Sequence, residues 1–259
     1  MITKIELEKL TKKYEVKEFI LNDPIQFPHR FKNSANVAED VEIAAFVASL
    51  FSYGNRKVFI KKLDELFTVM KNQPLNFVLN FEPESLTGVN YRFAKDIDLI
   101  EVFLILQRLY SKDKDASGLK ALFEYGYSQD NTIHTMLKVA VDYFYSKVGK
   151  NGQNEVKAGF YHLIPDPKNN GAMKRMNMFL RWMVRKPPVD LGLWDFIPTS
   201  ELLIPLDVHV ARLSREMGLL RRNTNDFKAV IELTDNLKKF DKKDPVKFDF
   251  AIFGLGIDK

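Results

Sequence analysis

Residues 37–51 read VAEDVEIAAFVASLF, a run in which apolar side chains return every three or four positions. This spacing is typical of an α-helix with a wide buried stripe and does not fit the two-residue alternation of a half-buried strand. The stripe consists of Val37, Val41, Ala44, Ala45, Ala48 and Phe51. Gly54-Asn55 follows and is expected to end the helix. The stretch therefore sets the fold class as helical.

The same periodicity extends outward on both sides of this run. Helices are predicted at 57–70, 98–110, 131–148, 206–217, 226–240 and 245–255, with a further one that begins near 172–174. Thr132 or Asn131 is a suitable N-cap for the helix at 131–148, and Gly218 lies where a terminating glycine belongs. Sustained period-2 alternation and internal repeats are both absent. We predict an all-α protein of two helical lobes.

Composition excludes several classes of protein and site. The chain has 259 residues, of which 46% are hydrophobic and 28% charged, as in an ordinary globular protein. It contains no cysteine, which excludes disulfide scaffolds, thiolate zinc sites, cysteine-ligated iron–sulfur clusters and cysteine nucleophiles. The four histidines, at positions 29, 134, 162 and 209, show no metal-binding spacing. We expect no metal and no cofactor.

The positive charge is concentrated in one part of the chain. The net charge is +5, and residues 150–222 carry twelve basic and seven acidic residues, so this stretch holds the whole excess. Such clustering indicates an anionic partner, although chance clustering on a solvated face explains it equally well. The N-terminal residues alternate charged and apolar side chains, unlike a secretory signal, and no apolar run is long enough to cross a bilayer. We expect a soluble, cytoplasmic protein.

Residues 163–185, LIPDPKNNGAMKRMNMFLRWMVR, hold the most informative pattern. A turn rich in proline and asparagine leads into a helix whose positions 176, 179, 180 and 183 form an apolar face. Lys174, Met178, Arg181 and Arg185 occupy the opposite side, and no acidic residue interrupts 171–186. A basic stripe beside a helix N-terminus is suited to binding phosphate. An ordinary amphipathic surface helix accounts for the pattern at least as well.

Asp207 follows in the segment PLDVHVARL, directly before an apolar-periodic helix. Aspartate is a preferred N-cap, and a capping role alone is the simpler interpretation.

The segments just quoted resemble the helix-hairpin-helix (HhH-GPD) DNA glycosylase superfamily. PLDVHVARL resembles its V-D-x-H-x-x-R signature, and the interval from Lys174 to Asp207 is similar to that of the archaeal-type 8-oxoguanine DNA glycosylases. DPIQFPHRF, SYGNRK, KRMNMFLRWMVR, DLGLW and the final FGLG look like an uncharacterised, mainly bacterial branch of the superfamily. The resemblance covers residues 37–222 well, and it implies a two-lobed helical fold with a cleft between the lobes.

The resemblance implies a role for each matching residue. Lys174 corresponds to the Schiff-base lysine and Asp207 to the catalytic aspartate, while Asn170, Gly171 and Arg175 lie in the hairpin region that contacts DNA. Asn55 and Arg56 match the loop that fills the gap left by an extruded base, although a capping asparagine and a solvated arginine explain them equally well. Phosphate contacts are expected for Arg181 and Arg185. The base pocket is expected to include Gln26, Asp249 and Phe253, although a core position is the simpler interpretation of Phe253.

The lobe boundaries and partners follow from the same resemblance. One HhH-GPD-like unit is expected over 1–259, with lobe one at about 37–205 and lobe two formed by 1–36 and 206–259. The partner is expected to be duplex DNA with a damaged base, bound by a monomer without an iron–sulfur cluster or a membrane. Asn170-Gly171-Ala172 departs from the usual G-x-G hairpin, so the docking on the DNA backbone is expected to differ.

The residue types suit excision of a damaged base, with an oxidised purine as the candidate lesion. Lys174 lies at a helix N-terminus beside Arg175, where the helix dipole and a second cation disfavour the ammonium. A neutral amine can attack C1′ of an extruded nucleotide and form a Schiff base, while Asp207 stabilises the positive charge that develops on the sugar. Two alternatives stay open: a non-catalytic DNA- or RNA-binding protein on the same scaffold, and a helical protein-interaction module.

Overall fold

The computed structural model describes residues 2–111, 117–149 and 158–257, which are mainly helical. The described residues form fourteen α-helices, four short 3-10 helices and no strand beyond two isolated bridges. The helices are α1 (Lys4–Tyr14), α2 (Lys17–Ile20), α3 (Gln26–His29), α4 (Val37–Phe51), α5 (Arg56–Val69), α6 (Pro74–Leu79), α7 (Asp96–Tyr110), α8 (Gly118–Tyr127), α9 (Ile133–Lys147), α10 (Ala158–Leu163), α11 (Lys174–Val184), α12 (Val208–Glu216), α13 (Phe227–Lys238) and α14 (Asp249–Ile257). The all-α prediction is confirmed.

Capping side chains explain where several predicted helices begin. Asn55 accepts a hydrogen bond from the amide of Val58 at the start of α5, and Thr132 accepts one from Thr135 at the start of α9. Asp226 caps α13 in the same way. Each cap supplies an acceptor for an amide that lacks a partner within its own helix. No helix among the described residues is long and apolar enough to cross a membrane.

The chain divides into two compact units with different boundaries from the predicted lobes. The terminal unit comprises Met1–Gln26 and Lys168–Lys259, and the central unit comprises Phe27–Pro167. The predicted lobes, 37–205 against 1–36 with 206–259, assigned α11 to the larger lobe. In the structure α11 belongs with the terminal segments because Arg185 near its end pairs with Glu15 and Asp244. Lys174 and Asp207 therefore lie in the same unit.

The central unit is built on α4, which is buried along its length from Asp40 to Phe51. Its core is rich in aromatic residues, and Phe46 stacks on Phe144 of α9 with ring centroids 5.5 Å apart. The charged residues that α4 buries have partners close by. The carboxylate of Asp40 accepts the amide of Leu75 at 2.8 Å, and Glu42 accepts the hydroxyl of Tyr110.

In the terminal unit α14 packs against α1 and α12. The contact with α1 is close at Gly254, where a β-carbon would lie 2.2 Å from the ring of Tyr14, so only glycine fits. Phe250 of the same helix is buried and takes the guanidinium of Arg181 over its ring at 4.5 Å. This packing brings the start of α14 beside the basic residues of α11.

Candidate functional site

Lys174 is the first residue of α11, and an unusual backbone conformation places it there. Asn170 and Met173 both have positive φ, 56° and 50°, so the chain reverses tightly just before the helix. The buried side chain of Asn177 closes the turn by donating to the carbonyl of Ala172 at 3.2 Å. The side chain of Lys174 thus starts from a helix N-terminus, where the peptide dipoles disfavour a positive charge.

The surroundings of Lys174 hold its amine closer to the neutral form than usual. The residue is half-buried, and desolvation of the ammonium is the main cause that lowers its pKa. Arg175 lowers this pKa further, whereas the carboxylates of Asp207, Asp23 and Asp249 act to raise it. Burial exceeds these attractions, so the pKa of Lys174 lies below its ordinary value.

Asp207 caps α12, as the simpler interpretation predicted. One carboxylate oxygen, Oδ1, accepts the amides of His209 and Val210, both at 2.9 Å. Both of these hydrogen bonds are made to Oδ1 and not to Oδ2, and the charge of the carboxylate acts on Lys174. The cap therefore fixes the orientation of Asp207 and leaves one oxygen for a second task.

Asp23 joins Lys174 and Asp207, a position that the sequence analysis does not predict. It is 7% exposed, and its Oδ1 accepts the amide of Ile25 at 3.1 Å. Its charge acts on both Lys174 and Arg181. The only local sign of this role is the pair Asp23-Pro24, which equally indicates an ordinary turn.

Asp249, the first residue of α14, is the fourth charged group of the site. Its Oδ2 accepts a hydrogen bond from Nη1 of Arg181, and its Oδ1 is buried without a hydrogen-bond partner among the described residues. Burial raises the pKa of this carboxyl to about 6, with Asp207 and Asp190 adding to the shift and Arg181 and Lys174 opposing it. Asp249 therefore holds a proton far more readily than an exposed aspartate.

The pKa values of Lys174 and Asp249 shift in opposite directions for one physical reason. Burial penalises the charged form of each group, so it favours an amine at Lys174 and a carboxylic acid at Asp249. Such shifts in a cluster of interacting groups are characteristic of sites that carry out acid–base or nucleophilic chemistry. The cluster of Lys174, Asp207, Asp23 and Asp249, which we call the lysine site, brings together an amine with a lowered pKa, a carboxylate fixed by capping and a carboxyl group with a raised pKa.

The structure places Arg181 and Arg185 in the interior, in contrast to the phosphate contacts predicted for them. They are 4% and 5% exposed. Arg181 pairs with Asp190 and Asp249, and Arg185 pairs with Asp190, Asp244 and Glu15. The prediction failed because it used only the absence of acids within 171–186, whereas the partners come from other parts of the chain. We retain no phosphate contact for either residue.

The turn before α11 is exposed, as its predicted contact with DNA requires. Asn170 and Gly171 both face solvent, and a β-carbon on Gly171 would meet open space. The backbone of Gly171 forms an isolated bridge with Asp226, and Phe227 donates its amide to the carbonyl of Asn170 at 3.0 Å. The turn is therefore held against the N-terminus of α13, with Arg175 half-buried behind it.

The two remaining base-pocket candidates make local contacts. The side-chain amide of Gln26 donates to the carbonyls of Leu21 and Asp23, at 3.1 and 3.3 Å, and so braces the loop that carries Asp23. Phe253 is half-buried and packs edge-to-face on Phe19. These contacts give Gln26 and Phe253 a structural role, and they do not indicate a base pocket.

Asn55 and Arg56, predicted to fill the space left by an extruded base, lie in the central unit. Asn55 is exposed and caps α5, while Arg56 is half-buried as the first residue of that helix. The capping interpretation of Asn55 is confirmed, and the contact with an orphan base stays a prediction. Among the described residues no cluster of three or more metal-binding side chains was found.

Comparison with known proteins gives one match. The model of DUF2400, described as a protein of unknown function, matches residues 23–258. No curated protein and no solved structure matches the chain. The matched range starts at Asp23 and includes Lys174, Asp207 and Asp249, so the whole lysine site lies within the part that the family shares.

Proposed function

The chain belongs to the DUF2400 family, whose function is unknown, and from its own lysine site we propose that it is a DNA glycosylase with associated lyase activity. It excises a damaged base, with an oxidised purine as the candidate lesion, from duplex DNA. We assign it, within the same proposal, the two-lobed HhH-GPD fold. The observation that carries the proposal is the lowered pKa of Lys174 beside the capped carboxylate of Asp207.

Lys174 acts as the nucleophile. Its neutral amine attacks C1′ of an extruded nucleotide, the bond from C1′ to the base breaks, and the base leaves with the bonding electron pair. The attached nitrogen then loses a proton and the sugar ring opens to a Schiff base. Loss of a proton from C2′ and departure of the 3′-phosphate by β-elimination complete the lyase step.

Asp207 stabilises the positive charge that builds up on the sugar as the base departs. Two amides hold its Oδ1, so the carboxylate cannot rotate freely, and Oδ2 is available to face the sugar. A pre-oriented charge of this kind stabilises a transition state without reorganisation. The two capping hydrogen bonds thus orient the carboxylate of Asp207 for its proposed catalytic role.

The DNA contacts belong to the same proposal. Exposed Asn170 and Gly171 offer backbone and amide groups to a phosphate, and Arg175 adds positive charge next to them. Asn55 and Arg56 fill the gap in the duplex, and Gln26, Asp249 and Phe253 line the pocket for the extruded base. The enzyme acts as a monomer in the cytoplasm, on nucleoid DNA.

Borohydride trapping tests the proposal. Duplex oligonucleotides with an abasic site, 8-oxoguanine, uracil or hypoxanthine are incubated with wild type, Lys174→Gln, Asp207→Asn and the exposed-lysine control Lys186→Gln. We expect a covalent adduct with wild type and Lys186→Gln, and its loss by at least about 100-fold with Lys174→Gln. Circular dichroism and thermal melting establish that each variant is folded.

The alternatives give different results in the same experiment. Binding to these duplexes that weakens with rising salt, without any adduct, identifies a non-catalytic nucleic-acid-binding protein. Absence of binding at low salt favours a protein-interaction module. An adduct that Lys174→Gln forms as well as wild type would refute the assigned nucleophile, because another amine would then be reacting.

A further inference from the structure

Asp249 has one carboxylate oxygen whose hydrogen-bonding capacity is unused within the described residues. The residue is 5% exposed, Arg181 donates to Oδ2, and Oδ1 is buried with no partner. A buried polar atom left without a hydrogen bond destabilises the folded state, so native structures rarely retain one without a reason. A ligand that completes the bond would supply such a reason in a cluster that also holds an amine.

The charged groups near Asp249 come from three parts of the chain: α11 with the loop that follows it, the start of α12, and the end of α1. Arg181 and Lys174 of α11 attract its carboxylate, whereas Asp207 at the start of α12 and Asp190 of the loop after α11 repel it. Helix α1, which also packs on α14, contributes Tyr14 against Gly254 and Glu15, whose carboxylate pairs with Arg185. Of the two cations, only Arg181 donates a hydrogen bond to it, and only to Oδ2.

The contact with Arg181 decides where a proton on Asp249 resides. A guanidinium has only donors, so the oxygen that it contacts must stay an acceptor. The proton therefore resides on Oδ1, the oxygen without a partner. Protonated Asp249 thus has an O–H donor that lacks an acceptor among the described residues.

We propose that Asp249 is a further catalytic residue of this site, the acid that protonates the base as it leaves. The inference rests on the proposed function. Lining a base pocket does not require Oδ1 to donate a proton, so this role is additional to the pocket position proposed above.

Lys174 and Asp249 share one proton in the reaction. It passes from the ammonium of Lys174 to Oδ1 of Asp249, which leaves an amine and a carboxylic acid, the pair that burial favours. The amine attacks C1′, the C1′–N bond breaks, and its electron pair goes to the nitrogen of the base. Oδ1–H then donates its proton to the departing base, and Asp249 returns to a carboxylate paired with Arg181.

Two substrates separate this role from the proposed function itself. A duplex with 8-oxoguanine, uracil or hypoxanthine requires departure of a base, whereas a preformed abasic duplex requires only the amine of Lys174. Asp249→Asn keeps the shape and the contact with Arg181 but has no proton to give. We expect it to release base at least about 100-fold more slowly than wild type and to cleave abasic DNA within about threefold of wild type.

Cleavage of abasic DNA by Asp249→Asn also shows that the variant is folded. Asp244→Asn is the matched control, because it removes a carboxylate that pairs with Arg185 outside the lysine site; it should leave the ratio of the two rates unchanged. Because the productive pair shares one proton, wild-type base release should decline at the high pH at which Lys174 as well as Asp249 has lost its proton, and this decline should vanish in Asp249→Asn.

Several outcomes would overturn the inference. Equal losses on both substrates in Asp249→Asn would mean that the residue only maintains the site, and no loss on either would mean that the departing base needs no acid from it. Abasic cleavage by wild type with none of the three bases released would also refute it, while leaving the nucleophile in place. Loss of both activities in wild type would instead refute the proposed function.

Discussion

The terminal and central units both bury charged side chains, but they satisfy them in different ways. In the central unit the buried carboxylates of Asp40, Glu42 and Asp98 accept hydrogen bonds from backbone amides or from a tyrosine hydroxyl. In the terminal unit the carboxylates of Asp190 and Asp249 are paired with Arg181 instead. The donors in these contacts of the central unit are neutral, whereas the donor in the terminal unit is a guanidinium.

The two arrangements differ in what they permit. A carboxylate that accepts bonds from neutral donors stabilises the local fold, and it can be replaced by another acceptor at modest cost. Buried ions that depend on each other leave an uncompensated charge when one is removed. They also shift one another's pKa, which makes the terminal unit the place where protonation can be controlled. Buried charge is therefore a stronger indication of function where its partners are themselves charged and its hydrogen bonds are incomplete.

Arg181→Met should produce the largest loss of stability. The substitution keeps an unbranched side chain in the core but leaves Asp190 and Asp249 facing each other without their shared cation. We expect the free energy of unfolding, measured by urea denaturation at pH 7, to fall by about 3–5 kcal/mol.

Arg212→Met is the matched control for Arg181→Met. Its ion pair with Glu216 lies on the surface, with side chains 50% and 47% exposed, and should contribute no more than about 0.5 kcal/mol. Similar decreases in the free energy of unfolding for Arg181→Met and Arg212→Met would show that the buried ion pairs of α11 are solvated like surface pairs. The difference drawn between the two units would then be wrong.

The pH dependence of stability gives the next largest effect. Burial raises the pKa of Asp249 from 3.8 to about 6, so the folded state binds its proton more tightly than the unfolded chain does. That contribution is fully present below pH 4 and is lost as pH rises to 6. Compared with Asp249→Asn, wild type should therefore lose roughly 3 kcal/mol of unfolding free energy over this interval. Urea denaturation of both proteins at pH 4 and pH 7.5 measures the difference.

A constant difference between wild type and Asp249→Asn at the two pH values would contradict this expectation. It would mean that Asp249 stays ionised in the folded protein, held by Arg181 and Lys174 despite burial. The acid role inferred for Oδ1 would then lose its physical basis, while the nucleophilic role of Lys174 would be unaffected.

Local patterns were sufficient to predict most of the long helices, although α8 was not predicted. The apolar stripe at 37–51 gave the bounds of α4, and Thr132 and Asp226 marked the starts of α9 and α13. Helix α1 was missed because its charged and apolar residues alternate. Thr3 and Glu6, which form a capping box at its start, are the sequence signal that indicates this helix. Helices of four to six residues, such as α2 and α10, are too short to show a period.

The lysine site was predictable only in part, because burial is a property of the folded chain. A helix start and a neighbouring arginine correctly indicated a lowered pKa for Lys174. Nothing near Arg181 in the sequence indicates that Asp190, nine positions on, and Asp249, in the last helix, meet its guanidinium. A basic stripe and a buried ion network have the same local pattern, and only the distant partners distinguish them.

Asp40→Asn should give the smallest effect and tests the other side of the contrast. Asparagine keeps an oxygen to accept the amide of Leu75, so only the charge-assisted part of that bond is lost. We expect a decrease of about 0.5–1 kcal/mol in the free energy of unfolding, whereas Asp40→Ala, which leaves the amide without its acceptor, should cost about 1–3 kcal/mol. If Asp40→Asn were as costly as Arg181→Met, the central unit would depend on the charge of its carboxylates as the terminal unit does. The lysine site would then be one of several places where buried charge is critical.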